Sequence, residues 1–505
     1  MKTPLKKLIS KVIYTAVMVS CLLLILLLFS YDAFLPTESK QEPNSLIVAF
    51  HKARHIKNYL QPPEDLLQLI SSVYTPEEKN RQVISKDNIV LVNDVPFFKY
   101  WQDVKERYVF HPMAYGGFLS RLSCDEPIKK YLSAAKKTAY RLPNGGLLWY
   151  YPDNFNLNRF LGPDISPSAI GQAQILGAIV DLDRRCNLNL KELARETYLG
   201  LAFPYYQGGV NLKDSFLLEL PLFRSAPEVI LNGWLHALLY LHQYATFYND
   251  SEALELFRKN IFTLAQVLPS FHDSTTGLSL YSDLCPYRVR IYHPDGPPDN
   301  LYVFYKSRLP ELDDLVFKLE LIKEDSSSYD NRIIKTTSGW TDIWISCSQR
   351  YDTYLIGEGK PFSVEFNVGE YDPYQTTPAG GETVKLQSKK LSNYSVVHIT
   401  SVRDKLFCGY PTNFSKFGIG KNYYHTYHVV ALVCLLASAD LPEEVYQTLK
   451  FWMHKWMQTI ENWNSGKKLV FYDYQYVLKE LYEHRAFLLT DNWNALLHKI
   501  EASSR

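Results

Sequence analysis

No phosphate-binding Gly-rich loop, no dinucleotide fingerprint and no His/Cys cluster at metal-ligand spacing occurs in the 505 residues. The chain therefore offers no motif for nucleotide hydrolysis, nicotinamide-linked redox chemistry or a metal centre, and His425-x-x-His428 alone is a weak metal signal. An excess of either charge is missing too. Lys and Arg number 54 against 53 Asp and Glu, a formal net charge of +1. That leaves no global field for nucleic acid and confines any polyanionic partner to a local basic patch. Cysteine is sparse: Cys21, Cys124, Cys186, Cys285, Cys347, Cys408 and Cys434, with no CxxC pair, so disulfides are permitted but not indicated. Low-complexity and disordered composition are absent. With 46% hydrophobic and 21% charged residues the chain can bury more than one core, and two or three domains are expected.

Aromatic residues, by contrast, are plentiful. Thirty-seven Tyr and 9 Trp lie within a 14% aromatic share, more than packing requires, and flat rings lining a groove are a common way to hold sugar faces. At the N-terminus, Lys2, Lys6, Lys7 and Lys11 precede a charge-free run, Val12 to Tyr31. Twenty such residues are long enough for a bilayer, and the lysines predict a cytoplasmic tail at 1–11, an N-terminal transmembrane signal anchor at 12–31 and an extracytoplasmic remainder. The compartment would be a Golgi lumen or a bacterial periplasm or cell surface.

A polar stretch, 32–88, reads as a stalk. Helical spacing then runs through Cys124–Arg141, Ser168–Arg185, Leu190–Phe203, Glu228–Tyr248 and Ser251–Leu268, with turn signals such as "LPNGG" and "YYQGG" between. Helix pairs joined in this way predict a mainly α domain, an (α/α) barrel or toroid of helical hairpins closing on a central cleft, with a first part at 89–290. The period changes near Val289, and 301–417 alternates as strands do in "NLYVFYKS", "TDIWISCS" and "FSVEFNVGEY". This segment is expected to be a separately folded, β-sandwich-like insertion with an auxiliary role. Helical spacing returns for the second part, 421–505, which opens on "KNYYHTYHVVALVCLLAS", titratable rings at the mouth of an apolar helix.

Four segments, in order, resemble the C-terminal catalytic domain of the D-glucuronyl C5-epimerases: "SAIGQAQILGAIV" (Ser168–Val180), "SAPEVILNGWLHALLYLHQY" (Ser225–Tyr244), "TGLSLYSDL" (Thr276–Leu284) and "NYYHTYHVVALVCLLAS" (Asn422–Ser438). The similarity covers roughly 112–288 and 423–463, and the last two segments, adjacent in the family pattern, are separated here by the β-rich stretch. The resemblance implies inversion at C5 of D-glucuronate to L-iduronate within a heparosan-, heparan- or capsule-like polysaccharide, without chain cleavage. No cofactor or metal is implied, because deprotonation and reprotonation need none.

The chemistry requires one group to remove the C5 proton from one face and another to return a proton from the opposite face. Tyr424 matches the tyrosine of the family's Tyr-His-x-x-His helix start and Tyr281 that of its Gly-x-x-x-Tyr loop, which implies an acid–base pair. His428 lies at i+4 from Tyr424 and is a candidate to polarise it, with His425 beside it. Glu219 resembles the glutamate of a Glu-Tyr-Pro stretch whose tyrosine position is Leu220 here. Asn232, Gln172 and Gln174 are polar residues of apolar helices, whose amides need partners, either sugar hydroxyls or backbone carbonyls. Arg288, Tyr287 and Arg290 follow Tyr281 and are expected to bind uronate carboxylates. The partners expected are an acidic polysaccharide and a membrane, and a homodimer or a biosynthetic complex is left open. Two other readings stand beside epimerisation: a polysaccharide lyase, which shares the proton abstraction, and a non-catalytic polysaccharide-binding or assembly protein.

Overall fold

A computed structural model describes residues 43–55, 62–74, 82–84, 89–99, 107–152, 165–219, 227–309, 312–319, 333–336, 339–368, 382–406, 410–411, 421–463, 470–483 and 492–502. Residues 1–52 and 53–505 form two units, and the described part of the first is helix α1 (Pro43–Lys52). The second unit begins with strand β1 (Arg54–His55), helix α2 (Glu64–Ile70) and an antiparallel meander of β2 (Gln82–Ile84), β3 (Ile89–Val92), β4 (Val95–Lys99) and β5 (Tyr108–Val109).

Among the described residues ten α-helices follow: α3 (Pro112–Arg121), α4 (Ile128–Lys137), α5 (Ala169–Cys186), α6 (Lys191–Leu201), α7 (Leu231–Tyr248), α8 (Ser251–Val267), α9 (Tyr424–Ser438), α10 (Glu443–Asn462), α11 (Tyr474–Glu483) and α12 (Trp493–Ala502). Helices α5, α7 and α9 are apolar around most of their circumference and are accordingly buried, α5 from Ala169 to Leu182 and α9 from His425 to Ala437. They pack side by side, α5 on α7 and α7 on α9, while amphipathic α6, α8 and α10 each lie against the helix that precedes them. Small residues permit this nesting: a Cβ on Gly177 would fall 1.7 Å from the Tyr240 ring, and one on Gly116 would fall 2.6 Å from the Gln174 backbone. Asn187 and Asn249 cap α5 and α7 in left-handed geometry, φ 51° and 54°, a conformation asparagine tolerates. The short turns they make reverse the chain, and the hydrogen bonds from His236 to Gln174 and to Tyr427, each near the start of its helix, put the N-termini of α5, α7 and α9 at one end. A disulfide, Cys124–Cys186, ties the α3–α4 connection to the end of α5.

Among the described residues, eleven strands form one large sheet, apart from several two-stranded ribbons. It comprises β7 (Leu284–Tyr292), β8 (Leu301–Ser307), β9 (Leu315–Leu319), β10 (Ile333–Thr336), β11 (Trp340–Ser348), β12 (Tyr351–Glu358), β13 (Ser363–Val368), β14 (Glu382–Gln387), β15 (Lys389–Leu391) and β16 (Tyr394–His398), with β1 at an edge; β6 (Leu280–Ser282) stands apart from it. The main order is β1-β9-β8-β12-β11-β7-β13-β14. β11 meets β12 only at the hairpin pair Ser348 and Tyr351, and across this corner Ser346 N donates to Tyr305 Oη of β8 (3.2 Å).

The expectation of a mainly α chain interrupted by a self-contained β insertion is therefore corrected. The sheet recruits strands from outside 301–417: β7 pairs with β11 over nine residues, from Leu284↔Ser348 to Tyr292↔Trp340, and β1 pairs with β9. The physical reason is legible in β7, whose Tyr287, Val289 and Ile291 are buried while Arg288, Arg290 and Tyr292 are half-exposed, the alternation of a strand. Sheet and helices also share a buried ion pair. Arg350, beside the β11–β12 corner, places Nε on Asp283 and donates from Nη2 to Pro227 O (2.8 Å), with its guanidinium 4.8 Å over the Phe216 ring. Both side chains are almost wholly buried.

The transmembrane helix and the membrane-anchored, extracytoplasmic localisation built on it are corrected as well. Among the described residues no helix is long and apolar enough to cross a membrane. Residues 12–31, on which the reading rested, lie outside the described residues.

Candidate active site

Where the N-termini of α5, α7 and α9 converge, connecting segments deliver the side chains. Leu218 O accepts the Ala169 N–H (2.9 Å) at the first residue of α5, which sets the next residue, Glu219, against α7. Its carboxylate lies on the bare face of Gly233, where a Cβ would stand 2.1 Å from Oε2. Gly233 is in the first turn of α7, so the carboxylate sits at the positive end of the helix. β6 arrives from the other direction: Ser282 bridges Ile230, and Asp283 accepts from Val229 N on Oδ1 (3.0 Å) while donating its own N–H to Val229 O (3.2 Å). Tyr281, between Leu280 and Ser282, is thereby fixed beside the start of α7.

Tyr424 is the first residue of α9, and its ring meets that of Tyr281 with centroids 4.6 Å apart at 60°. Tyr423 packs on Tyr424 at 5.8 Å. Tyr281, Tyr423, Tyr424 and Glu219 are all half-buried, whereas the layer beneath them is closed. There Gln174 Oε1, which only accepts, takes the Nε2–H of His236 (2.7 Å), leaving His236 Nδ1 to accept from the Tyr427 hydroxyl (2.5 Å). Burial pushes the Tyr427 hydroxyl well above its ordinary range, and Glu219 and Glu480 act in the same direction. Burial also raises Tyr423 and Tyr151, the former beside Glu480 and the latter within reach of Glu219.

His425 and His428 do not face the mouth. Both are fully buried and share Ser279: its N–H donates to His425 Nδ1 (2.9 Å), and its Oγ lies 2.8 Å from Nδ1 of each ring. His425 Nε2–H donates to Trp456 O (3.1 Å). Burial lowers the pKa of His425 to about 3 and that of His428 well below its usual 6.5, so both rings are neutral at ordinary pH. The polarising cation expected at His428 is thus absent; the two histidines lock β6 onto α9 instead.

Asn232 keeps its place. It is 7% exposed in the first turn of α7, and its Oδ1 has no hydrogen-bond partner among the described residues. The same is true of Oγ of Ser168, the N-cap of α5, a residue that composition and spacing did not single out. Gln172 is fully used by backbone: it accepts from Trp149 N (3.2 Å) and donates to Leu147 O (2.7 Å) and Thr197 O (2.8 Å). Gln174 serves His236 and lies beside the Tyr240 hydroxyl. Arg288 and Tyr287 are carried away on β7. Arg288 binds Asp342 through Nε (3.1 Å) and Nη2 (2.5 Å), and Tyr287 is buried with its ring 6.3 Å from Phe366. Leu220 lies outside the described residues.

The residues brought together are Tyr281, Tyr424, Glu219 and Asn232. Ser279, His236 and Tyr427 were not anticipated as a group, although all three sit inside segments that carry the resemblance. Hydroxyl and carboxyl groups at a half-open mouth can pass protons, and three helix N-termini favour an anion there.

Residues 192–290 match the family described as D-glucuronyl C5-epimerase C-terminus. The match runs from α6 through α7, α8 and Tyr281 into β7, and it implies an isomerase that acts as a uronate epimerase. No curated protein and no solved structure matches the chain.

Proposed function

The chain carries a D-glucuronyl C5-epimerase C-terminal region, and from that premise we propose that it inverts C5 of D-glucuronate residues to L-iduronate in an acidic polysaccharide of the heparosan or capsular kind. The observation that supports this most directly is the Tyr281–Tyr424 contact at the meeting of the α7 and α9 N-termini. Rings 4.6 Å apart leave no room for a pyranose between them, so the pair serves one face of the sugar as a unit. Glu219, delivered by a different segment, serves the opposite face.

In the forward reaction one side removes the C5 proton and the bonding electrons spread onto the substrate carboxylate. The other side then returns a proton to C5 with inversion. The charge that develops on the carboxylate is met by the Ser168 hydroxyl and the positive ends of α5 and α7, while Asn232 Oδ1, an acceptor, takes a sugar hydroxyl. A closed layer of Tyr427, His236 and Gln174 beneath keeps water from the reacting face.

The test is deuterium uptake from solvent at C5 of a glucuronate polymer. Tyr424→Phe removes only the proton-carrying oxygen and should lower exchange at least about 100-fold, with polymer affinity within a few-fold of the parent. Glu219→Gln should lose exchange comparably. Unchanged exchange in Tyr424→Phe would remove that residue from the mechanism, and an ultraviolet-absorbing unsaturated uronate would assign elimination instead.

A further inference from the structure

The half-exposed face of the sheet carries a second set of groups suited to acidic sugars. Residues directly opposite on neighbouring antiparallel strands share a face, and the register sets Arg288 against Trp344, Arg290 against Asp342 and Tyr292 against Trp340. Asp342, 1% exposed, holds both guanidinium groups: Arg288 through Nε and Nη2, Arg290 through Nε (2.7 Å) and Nη2 (3.0 Å). Arg290 also lies 4.1 Å over the Trp340 ring. The arginine side chains remain 32% and 39% exposed, and Nη1 of Arg288 makes no hydrogen bond to the described residues. Two cations on one buried anion leave one net positive charge, held rigid before any ligand arrives.

Trp340 and Trp344 stand four residues apart on β11, roughly 13 Å at strand rise, and bracket the two arginines. Flat rings at the ends and fixed forked donors between them match a short run of uronate sugars, ring faces on tryptophan and carboxylates on guanidinium. The tyrosine site is within reach along the same chain. Arg288 lies seven positions beyond Tyr281, no more than about 25 Å when extended, so a polymer seated at one can continue to the other.

We propose that this face, built from β7 and β11, is an accessory binding surface for the acidic polysaccharide itself. The proposal rests on the uronate-polymer reading above and adds a subsite remote from the reacting sugar. Arg288 thus binds carboxylates, but on the sheet and not beside Tyr281. Such a site strengthens binding of long chains by raising local concentration and leaves short substrates untouched.

Binding of a long glucuronate polymer, with a neutral polysaccharide of equal length as control, is measured for the full chain, Trp344→Ala and Arg288→Gln. In Arg288→Gln, Arg290 still pairs with Asp342; should that variant misfold by near-UV circular dichroism, Trp344→Ala decides. Each variant should lose about tenfold in affinity for the long polymer, and Trp344→Ala should keep C5 exchange on a short oligosaccharide within about twofold. Parental affinity in Trp344→Ala, or an equal loss of exchange on short and long substrates, overturns the proposal. If the parent binds the polymer and the variants do not, yet no exchange occurs at all, the surface stands and the epimerase reading falls.

Discussion

Gly233 shows how far one missing side chain can decide a site. Its Cα is the floor on which the Glu219 carboxylate rests, and a methyl group there would stand 2.1 Å from Oε2. Gly233→Ala should therefore push Glu219 out of register and reduce C5 exchange on the order of 100-fold, the scale set by an ångström of misplacement. Alanine is also the better helix former by about 1 kcal/mol, so the melting temperature should hold or rise. Paired measurements of exchange and melting check this: a loss of both would mean a disturbed fold, and a loss of neither would mean that Glu219 is not needed. Glu219, Tyr281 and Tyr424 were legible in the sequence because they sit in short motifs. The neutrality of His428 was not, because burial sets it, and burial comes from Trp456 and Ser279, distant in the chain.

At the scale of elements, the junction of β6 and β7 holds Tyr281 in place. Asp283 binds Val229 of the α7 approach on one side and Arg350 of the sheet on the other, with both charges out of water. Arg350→Met leaves Asp283 buried without its cation, and breaking such a pair costs about 3–5 kcal/mol. A matching fall in the free energy of unfolding by urea is expected, and Asp283→Asn/Arg350→Met together should recover part of it, since the orphaned charge is gone. A urea midpoint unchanged in Arg350→Met would show that the pair does not join sheet to helices. This ion pair, with the pairing of β7 and β11, ties 301–417 to residues outside it. The alternation of 301–417 was readable residue by residue, but the pairing of β7 with β11 closes over about fifty intervening residues, and no local pattern carries that information.

For the whole molecule, buried neutral histidines predict sensitivity to acid. Desolvation holds half-buried His111 and fully buried His425 at about 3, whereas the unfolded chain takes up their protons near 6.5. Between those values the unfolded state binds more protons, so stability is full above pH 6.5 and falls as pH drops toward 3, by up to about 1.4 kcal/mol per pH unit for each such histidine. His111 caps α3 by accepting from Ala114 N (3.3 Å), a role asparagine can fill. His111→Asn should therefore flatten the decline between pH 6 and 4 by about one histidine's share, read from urea midpoints across that range; an identical slope would show that His111 titrates normally. By itself the sequence determined the helical and strand segments and the pair of tyrosine motifs, because periodicity and short motifs are local properties of the chain. The tertiary structure alone decided that Tyr281 touches Tyr424, that Gln172 is spent on backbone, that Arg288 belongs to a sheet and that this sheet takes strands from outside 301–417, because each of these depends on which distant segment excludes water from which.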